Sequence, residues 1–197
     1  MVFGLNIDLI KEMQSYAKDN NVPIMISDTL FYIDNIIKDN NYKSILEIGT
    51  AIAYSTIYLR SNNNIKICSI ERDKNRYDIA CYNVKKSKLS GIDLIYADAL
   101  EIDIKEKYDL IIIDAAKSQN IKFFEKYKNN LNDNGIIIVD NMNFHGFVGK
   151  SSEIKSRNLR GLIRKLEAFW QYIDNQTEFS VMHLDIGDGI VVCKKNI

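Results

Sequence analysis

The chain has 197 residues, 46% of them hydrophobic and 26% charged, enough apolar material for one globular domain with a sizeable core. Its 26 basic and 26 acidic residues cancel, which removes any whole-molecule charge signal for nucleic acid. Three cysteines, Cys68, Cys81 and Cys193, stand far apart without a CxxC pair, so neither a zinc site nor a disulfide framework is indicated. The opening stretch MVFGLNIDLIKEM lacks a basic region leading into a long apolar run, and no apolar stretch approaches membrane-spanning length. The expectation is a soluble, cytoplasmic, single-domain protein.

Apolar β-rich runs then alternate with helical patterns. In an N-terminal helical region, residues 1–40, Leu30, Ile33 and Ile37 mark one helix face. Strands are expected at 44–48 (SILEI), 65–71 (IKICSIE), 93–98 (DLIYAD), 108–114 (YDLIIID) and 135–140 (GIIIVD). Before the last of these, Phe123, Tyr127 and Leu131 mark a second helix face. Strands that are apolar throughout, rather than alternating, point to a parallel sheet covered on both faces. The end of the chain differs: FSVMHLD, IGDG and IVVCKK read as an antiparallel hairpin. The expected fold is α/β, a mostly parallel doubly wound sheet closing with that hairpin. In such sheets ligands bind outside the carboxyl ends of the strands.

Those ends are acidic. Glu47 and Gly49 close the first strand, Glu71 the second, Asp98 the third, Asp114 the fourth, and Asp140 with Asn141 the fifth. Taken singly, a strand-terminal Asp caps the next helix; five in succession point to a ligand-binding edge. Glu71 lies 22 residues after Gly49, about the spacing at which an acid takes both ribose hydroxyls in nucleotide-binding βαβ units. No GxGxxG loop is present, which argues against a dinucleotide. An acid beside the glycine loop argues against phosphate and for a ligand carrying positive charge.

Together LEIGTAIAYST, IERD, ADAL, YDLIIIDAAK and GIIIVDN resemble the class I methyltransferases that use S-adenosylmethionine. More narrowly they resemble the metal-dependent O-methyltransferases, which include catechol and caffeoyl-CoA O-methyltransferases, and within these the bacterial branch that methylates 5-hydroxyuridine in tRNA. The resemblance runs from about residue 22 to the terminal GDGIVV, and implies a single methyltransferase domain over 1–197 with a Rossmann-like, seven-stranded sheet. It implies a cosubstrate site for S-adenosylmethionine built from Met25, Glu47, Gly49, Tyr54, Ser55, Glu71, Asp98, Ala99 and Asp114. Glu47 would sit by the methionine ammonium, Glu71 on the ribose, and Asp98 with Ala99 by the adenine. It implies Asp114, Asp140 and Asn141 as ligands of Mg²⁺, and Lys117 as general base beside Asp114. One position departs from the family's GxxxGxS loop: Ala53 stands at the second glycine, where a negative φ would still allow close approach.

Two carboxylates and an amide oxygen are hard ligands suited to Mg²⁺. Read without the resemblance, Lys117 is an ordinary surface lysine and Asp140-Asn141 a turn after a buried strand. Residues 146–170 carry six basic residues against two acids. Arg157, Arg160 and Arg164 recur at helical spacing with Lys165 beside them, opposite an apolar stripe of Leu159, Leu162, Ile163, Leu166 and Phe169. This is either a solvated amphipathic face or a phosphate-binding stripe for the tRNA anticodon loop. Phe144, His145 and Phe147 could stack on an unpaired base or fill a core or dimer contact. Small catechols as substrates, and a non-catalytic nucleotide-binding protein, are the other readings; the family resemblance implies a homodimer.

Overall fold

The structure, a computed structural model, describes residue 4 and residues 6–196. The chain separates into two compact units, one ending at Ile104 and the other starting at Lys105.

The first unit opens with helices α1 (Ile7–Asp19) and α2 (Ser27–Asp39). Both are amphipathic, α1 burying Leu9, Ile10, Met13 and Ala17 and α2 burying Leu30, Ile33 and Ile37, the face expected from their spacing. The Asn6 side chain caps α1 by accepting the Leu9 N–H at 3.1 Å. Strands β1 (Ser44–Ile48), β2 (Lys66–Glu71) and β3 (Ile92–Tyr96) pair in parallel, with β2 central. They are linked through α3 (Tyr54–Asn62) and α4 (Lys74–Ser87). The third strand stops at Tyr96, so Asp98 lies in the turn beyond it.

In the second unit, β4 (Tyr108–Ile113) pairs in parallel with β5 (Leu131–Val139), and α5 (Asn120–Tyr127) connects them. Helix α6 (Arg157–Asp174) precedes the hairpin β6 (Phe179–Leu184) and β7 (Ile190–Lys195), and β7 also pairs antiparallel with β5. The seven strands are those of a mixed, Rossmann-like sheet. One expectation fails here. Leu131 does not continue the face of Phe123 and Tyr127; the helix ends at Tyr127, and Leu131 opens β5 opposite Tyr108. The pairing then slips between Tyr108 and Leu110. At this slip a Cβ on Gly135 would lie 2.8 Å from the Asp109 carbonyl oxygen, so the early start of the strand depends on a glycine there. Helix α6 buries Ile163, Leu166, Phe169 and Ile173, and Phe169 meets Phe124 of α5 edge to face at 6.5 Å. A Phe ring this well enclosed contributes about 2–3 kcal/mol of transfer free energy.

Candidate functional site

The glycine loop after β1 is tightly folded. Gly49, Ala51 and Ala53 have φ of 103°, 48° and 65°, so Ala53 takes the left-handed region instead of the negative φ expected for it. A side chain there costs about 1–2 kcal/mol, while glycine costs about 0.4–1 kcal/mol more chain entropy on folding. Ala53→Gly should therefore stabilise the protein by roughly 0.5–1 kcal/mol, read as a raised urea midpoint at constant slope; a lowered midpoint would mean that the packing of the Ala53 methyl dominates.

Glu47 is 1% exposed, inside β1 rather than at its mouth. Its carboxylate accepts hydrogen bonds from Ser55 and Thr56 at 2.5 Å each and from Ser69 at 2.6 Å. These hydroxyls bind the start of α3 and the middle of β2 to β1. Glu71 ends β2, and its two oxygens accept the Ala51 and Asp73 N–H groups at 2.8 Å each. Each oxygen keeps a further lone pair that could accept from another donor. Asp98 accepts the Leu100 N–H at 2.9 Å, with Arg72 at 3.7 Å. Met25, Tyr54, Ser55 and Ala99 are buried; the Tyr54 hydroxyl accepts from Gln14 at 2.7 Å, and burial raises its pKa.

The second unit brings Asp114, Lys117, Asp140 and Asn141 together. Ile113 pairs with Val139 in the β4–β5 register, so Asp114 and Asp140 follow at neighbouring strand ends. Asn141 donates through Nδ2 to Asp114 Oδ1 at 3.1 Å, and Lys117, in a 3₁₀ turn, donates to the same oxygen at 2.5 Å. Burial, followed by the charge of Asp114, pushes Asp140 up to about 7, although Lys117 opposes this. Such a carboxylate pair is costly to ionise unless a cation joins it. No trio of His, Cys, Asp and Glu among the described residues is arranged to hold a metal; the donor set here is two carboxylates and the Asn141 amide, whose oxygen faces Asp114 after a half-turn of the amide plane. Asn141 itself has φ of 61°, a region that asparagine tolerates better than most residues.

Beyond Asn141 the chain makes a loop in which Phe144 and His145 also have positive φ. The turn between β6 and β7 grips it. Met142 N–H donates to the Gly189 carbonyl, and Asn143 N–H to that of Asp188, both at 2.8 Å. The Asp188 carboxylate accepts the His145 N–H at 2.7 Å. At the far end of the loop, Glu167 of α6 accepts the Gly149 and Ser151 N–H groups. His145 and Phe147 are exposed and Phe144 half-buried. On α6, Arg157, Arg164 and Lys165 are exposed and Arg160 half-buried. The sequence reading missed Thr56, Ser69, Asp188 and Glu167. A serine within an otherwise apolar strand was the available signal for Ser69; GDG had read only as a turn.

The O-methyltransferase family profile matches residues 6–196. The chain is similar to an Arabidopsis thaliana protein provisionally assigned as a caffeoyl-CoA O-methyltransferase, 26% identical over 201 residues, 95% of this chain and 86% of the relative. It is similar to a solved Staphylococcus aureus structure with the same provisional assignment, 35% identical with a TM-score of 0.90, covering 95% of this chain and 92% of that one. A Podospora anserina methyltransferase, PaMTH1, solved with S-adenosylhomocysteine bound, has the same fold at 20% identity and a TM-score of 0.85, over 96% of this chain and 88% of its own.

Proposed function

This chain belongs to the O-methyltransferase family, and on that premise we propose that it methylates 5-hydroxyuridine at the wobble position of tRNA to 5-methoxyuridine, with S-adenosylmethionine as methyl donor and Mg²⁺ as metal. The observation that carries the reading is the cluster of Asp114, Asp140, Asn141 and Lys117 at the ends of β4 and β5. Asp114, Asp140 and Asn141 would hold the cation. When bound, it lowers the pKa of an acceptor hydroxyl and fixes vicinal oxygens in place. Lys117 would take the proton from that hydroxyl at Nζ. The oxygen then attacks the sulfonium methyl, the carbon–sulfur bond breaks, and S-adenosylhomocysteine leaves. In the first unit, Gly49, Ser55, Glu71, Asp98 and Ala99 would hold the donor, with Met25 and Tyr54 beside it. Glu47 would act through the hydroxyls it orders.

Support for tRNA comes from α6. Among the described residues no acidic side chain pairs with Arg157, Arg160 or Arg164, so these charges are available for phosphates. A 5-hydroxyl beside a 4-carbonyl offers the two adjacent oxygens that a catechol offers. The similarity to proteins provisionally assigned as caffeoyl-CoA O-methyltransferases favours a second reading, a small diphenol as acceptor. Transfer from labelled S-adenosylmethionine to tRNA bearing unmethylated 5-hydroxyuridine, compared with catechol, separates the two.

Replacing the three arginines by alanine should weaken tRNA binding and lower its log–log salt slope by roughly one unit per lost phosphate contact. Turnover of a free hydroxylated nucleoside should stay within about twofold, since removing remote surface charge leaves the reacting groups in place. Unchanged tRNA binding with loss of small-molecule turnover would move the assignment to the diphenol enzyme.

A further inference from the structure

We propose that Asp188, in the turn between the last two strands, is a positioning residue that fixes the loop carrying Asn141. The inference rests on the metal-site reading above and adds to it a residue outside the ligand set. Asp188 is 8% exposed. One carboxylate oxygen accepts the His145 N–H at 2.7 Å, while the other is buried without a hydrogen-bond partner; the His145 ring approaches that second oxygen only to 3.7 Å. A buried carboxylate with one unfilled oxygen is an expensive group to keep for packing alone.

What it receives in return is a hold on the strained start of a loop whose own hydrogen bonds lie further on, among residues 143–150. Asn141, Phe144 and His145 have φ of 61°, 44° and 57°, and each such non-glycine residue persists only where its surroundings impose it. Three successive points of the turn impose it: the Gly189 carbonyl on Met142, the Asp188 carbonyl on Asn143, and the Asp188 carboxylate on His145. Gly189 must lack a side chain, because a Cβ there would stand 2.8 Å from the Asn143 nitrogen. Of these three holds on the backbone only the last comes from a side chain, so it is the one that substitution can remove cleanly; the Asp185 carboxylate separately accepts from the Asn143 side chain at 2.9 Å. Met142 is buried against Asn120, whose Nδ2 lies 3.5 Å from the sulfur. The chain is thereby pinned on both sides of the residue next to Asn141, and a shift at His145 is transmitted toward that ligand.

The test measures Mn²⁺ binding by calorimetry in the absence of substrate, with S-adenosylhomocysteine binding as the control. Asp188→Ala should weaken Mn²⁺ binding by about tenfold or more, the usual effect of losing a group that orients a ligand. Binding of S-adenosylhomocysteine should hold within about twofold, as the oriented group is not part of its site. Asp188→Asn keeps an acceptor for the His145 N–H and should restore Mn²⁺ binding to within about threefold of the parent. If the alanine variant does not fold, amide exchange of the unmodified protein decides: Mn²⁺ should slow exchange at His145 severalfold. Undiminished Mn²⁺ binding by Asp188→Ala, an asparagine variant as weak as the alanine one, or exchange at His145 indifferent to Mn²⁺ would each overturn the inference. A parent protein that binds no Mn²⁺ would overturn the metal-site reading together with it, whereas binding indifferent to Asp188 overturns this inference alone.

Discussion

Lys117→Ala is expected to lower kcat by about 10²–10⁴-fold, the range for a lost general base, while binding of S-adenosylmethionine changes far less. The separation follows from where the residue stands. Lys117 contacts Asp114, the expected metal ligand, at 2.5 Å, and is itself outside the set of residues expected to hold the ribose and adenine, Glu71, Asp98 and Ala99. Lys117→Arg keeps the positive charge beside Asp114 but cannot give up its proton. It should be nearly as slow as the alanine variant. Steady-state kinetics with binding measured separately provides the check. An arginine variant at parental rate would assign the residue an electrostatic role and remove the general base from the mechanism.

Excess EDTA should abolish turnover, with restoration by Mg²⁺, while cosubstrate binding survives. The same site sets a pH dependence. The Asp140 carboxyl, raised from 3.8 to about 7, holds a proton in the folded protein that the unfolded chain has already released across that interval. Folding of the metal-free protein is therefore favoured at low pH, and stability declines as pH rises from about 4 toward 7. A bound cation must displace this proton, so its apparent affinity should fall up to about tenfold per unit below pH 7. Thermal unfolding with and without Mg²⁺ from pH 5 to 8 should show a Mg²⁺ increment that grows with pH. An increment that shrinks as pH rises, or full activity in EDTA, would sink the metal mechanism.

Much of this was legible in the residue order, because strand ends are chemically marked. Ile113 and Val139 each finish an apolar run, so the acids that follow them had to emerge beyond the sheet, and parallel pairing sets them side by side. On α6 the burial of Ile163, Leu166 and Phe169 followed from helical spacing, whereas Leu159 and Leu162 of the expected stripe are only half-buried and Ile173 joins the buried face. What stayed hidden depended on contacts between residues distant in sequence. Glu47 looked like an acid at a strand mouth. Only the fold reveals the hydroxyls of Ser55, Thr56 and Ser69 around its carboxylate. Leu131 matched a helical spacing, yet a glycine four residues later let a strand begin there. Asp188 stands 47 residues from Asn141 in the chain, and no local pattern links a hairpin turn to a ligand loop. Ala53 occupies a backbone conformation that its side chain gave no reason to expect.

The grip of the final turn on the loop after Asn141 also sets an order of events during synthesis. The residues expected to hold the methyl donor all lie before residue 115, and most of them lie in a unit complete by Ile104. The loop after Asn141 is fastened at Met142, Asn143 and His145 by partners at Gly189 and Asp188, which the ribosome delivers some four dozen residues later. On the proposed assignment, a nascent or prematurely terminated chain would carry the residues expected to hold the donor before the loop after Asn141 has the partners that fix it. Methyl transfer would then be among the last properties the growing polypeptide gains, and proteolytic loss of the terminal hairpin among the quickest ways to remove it.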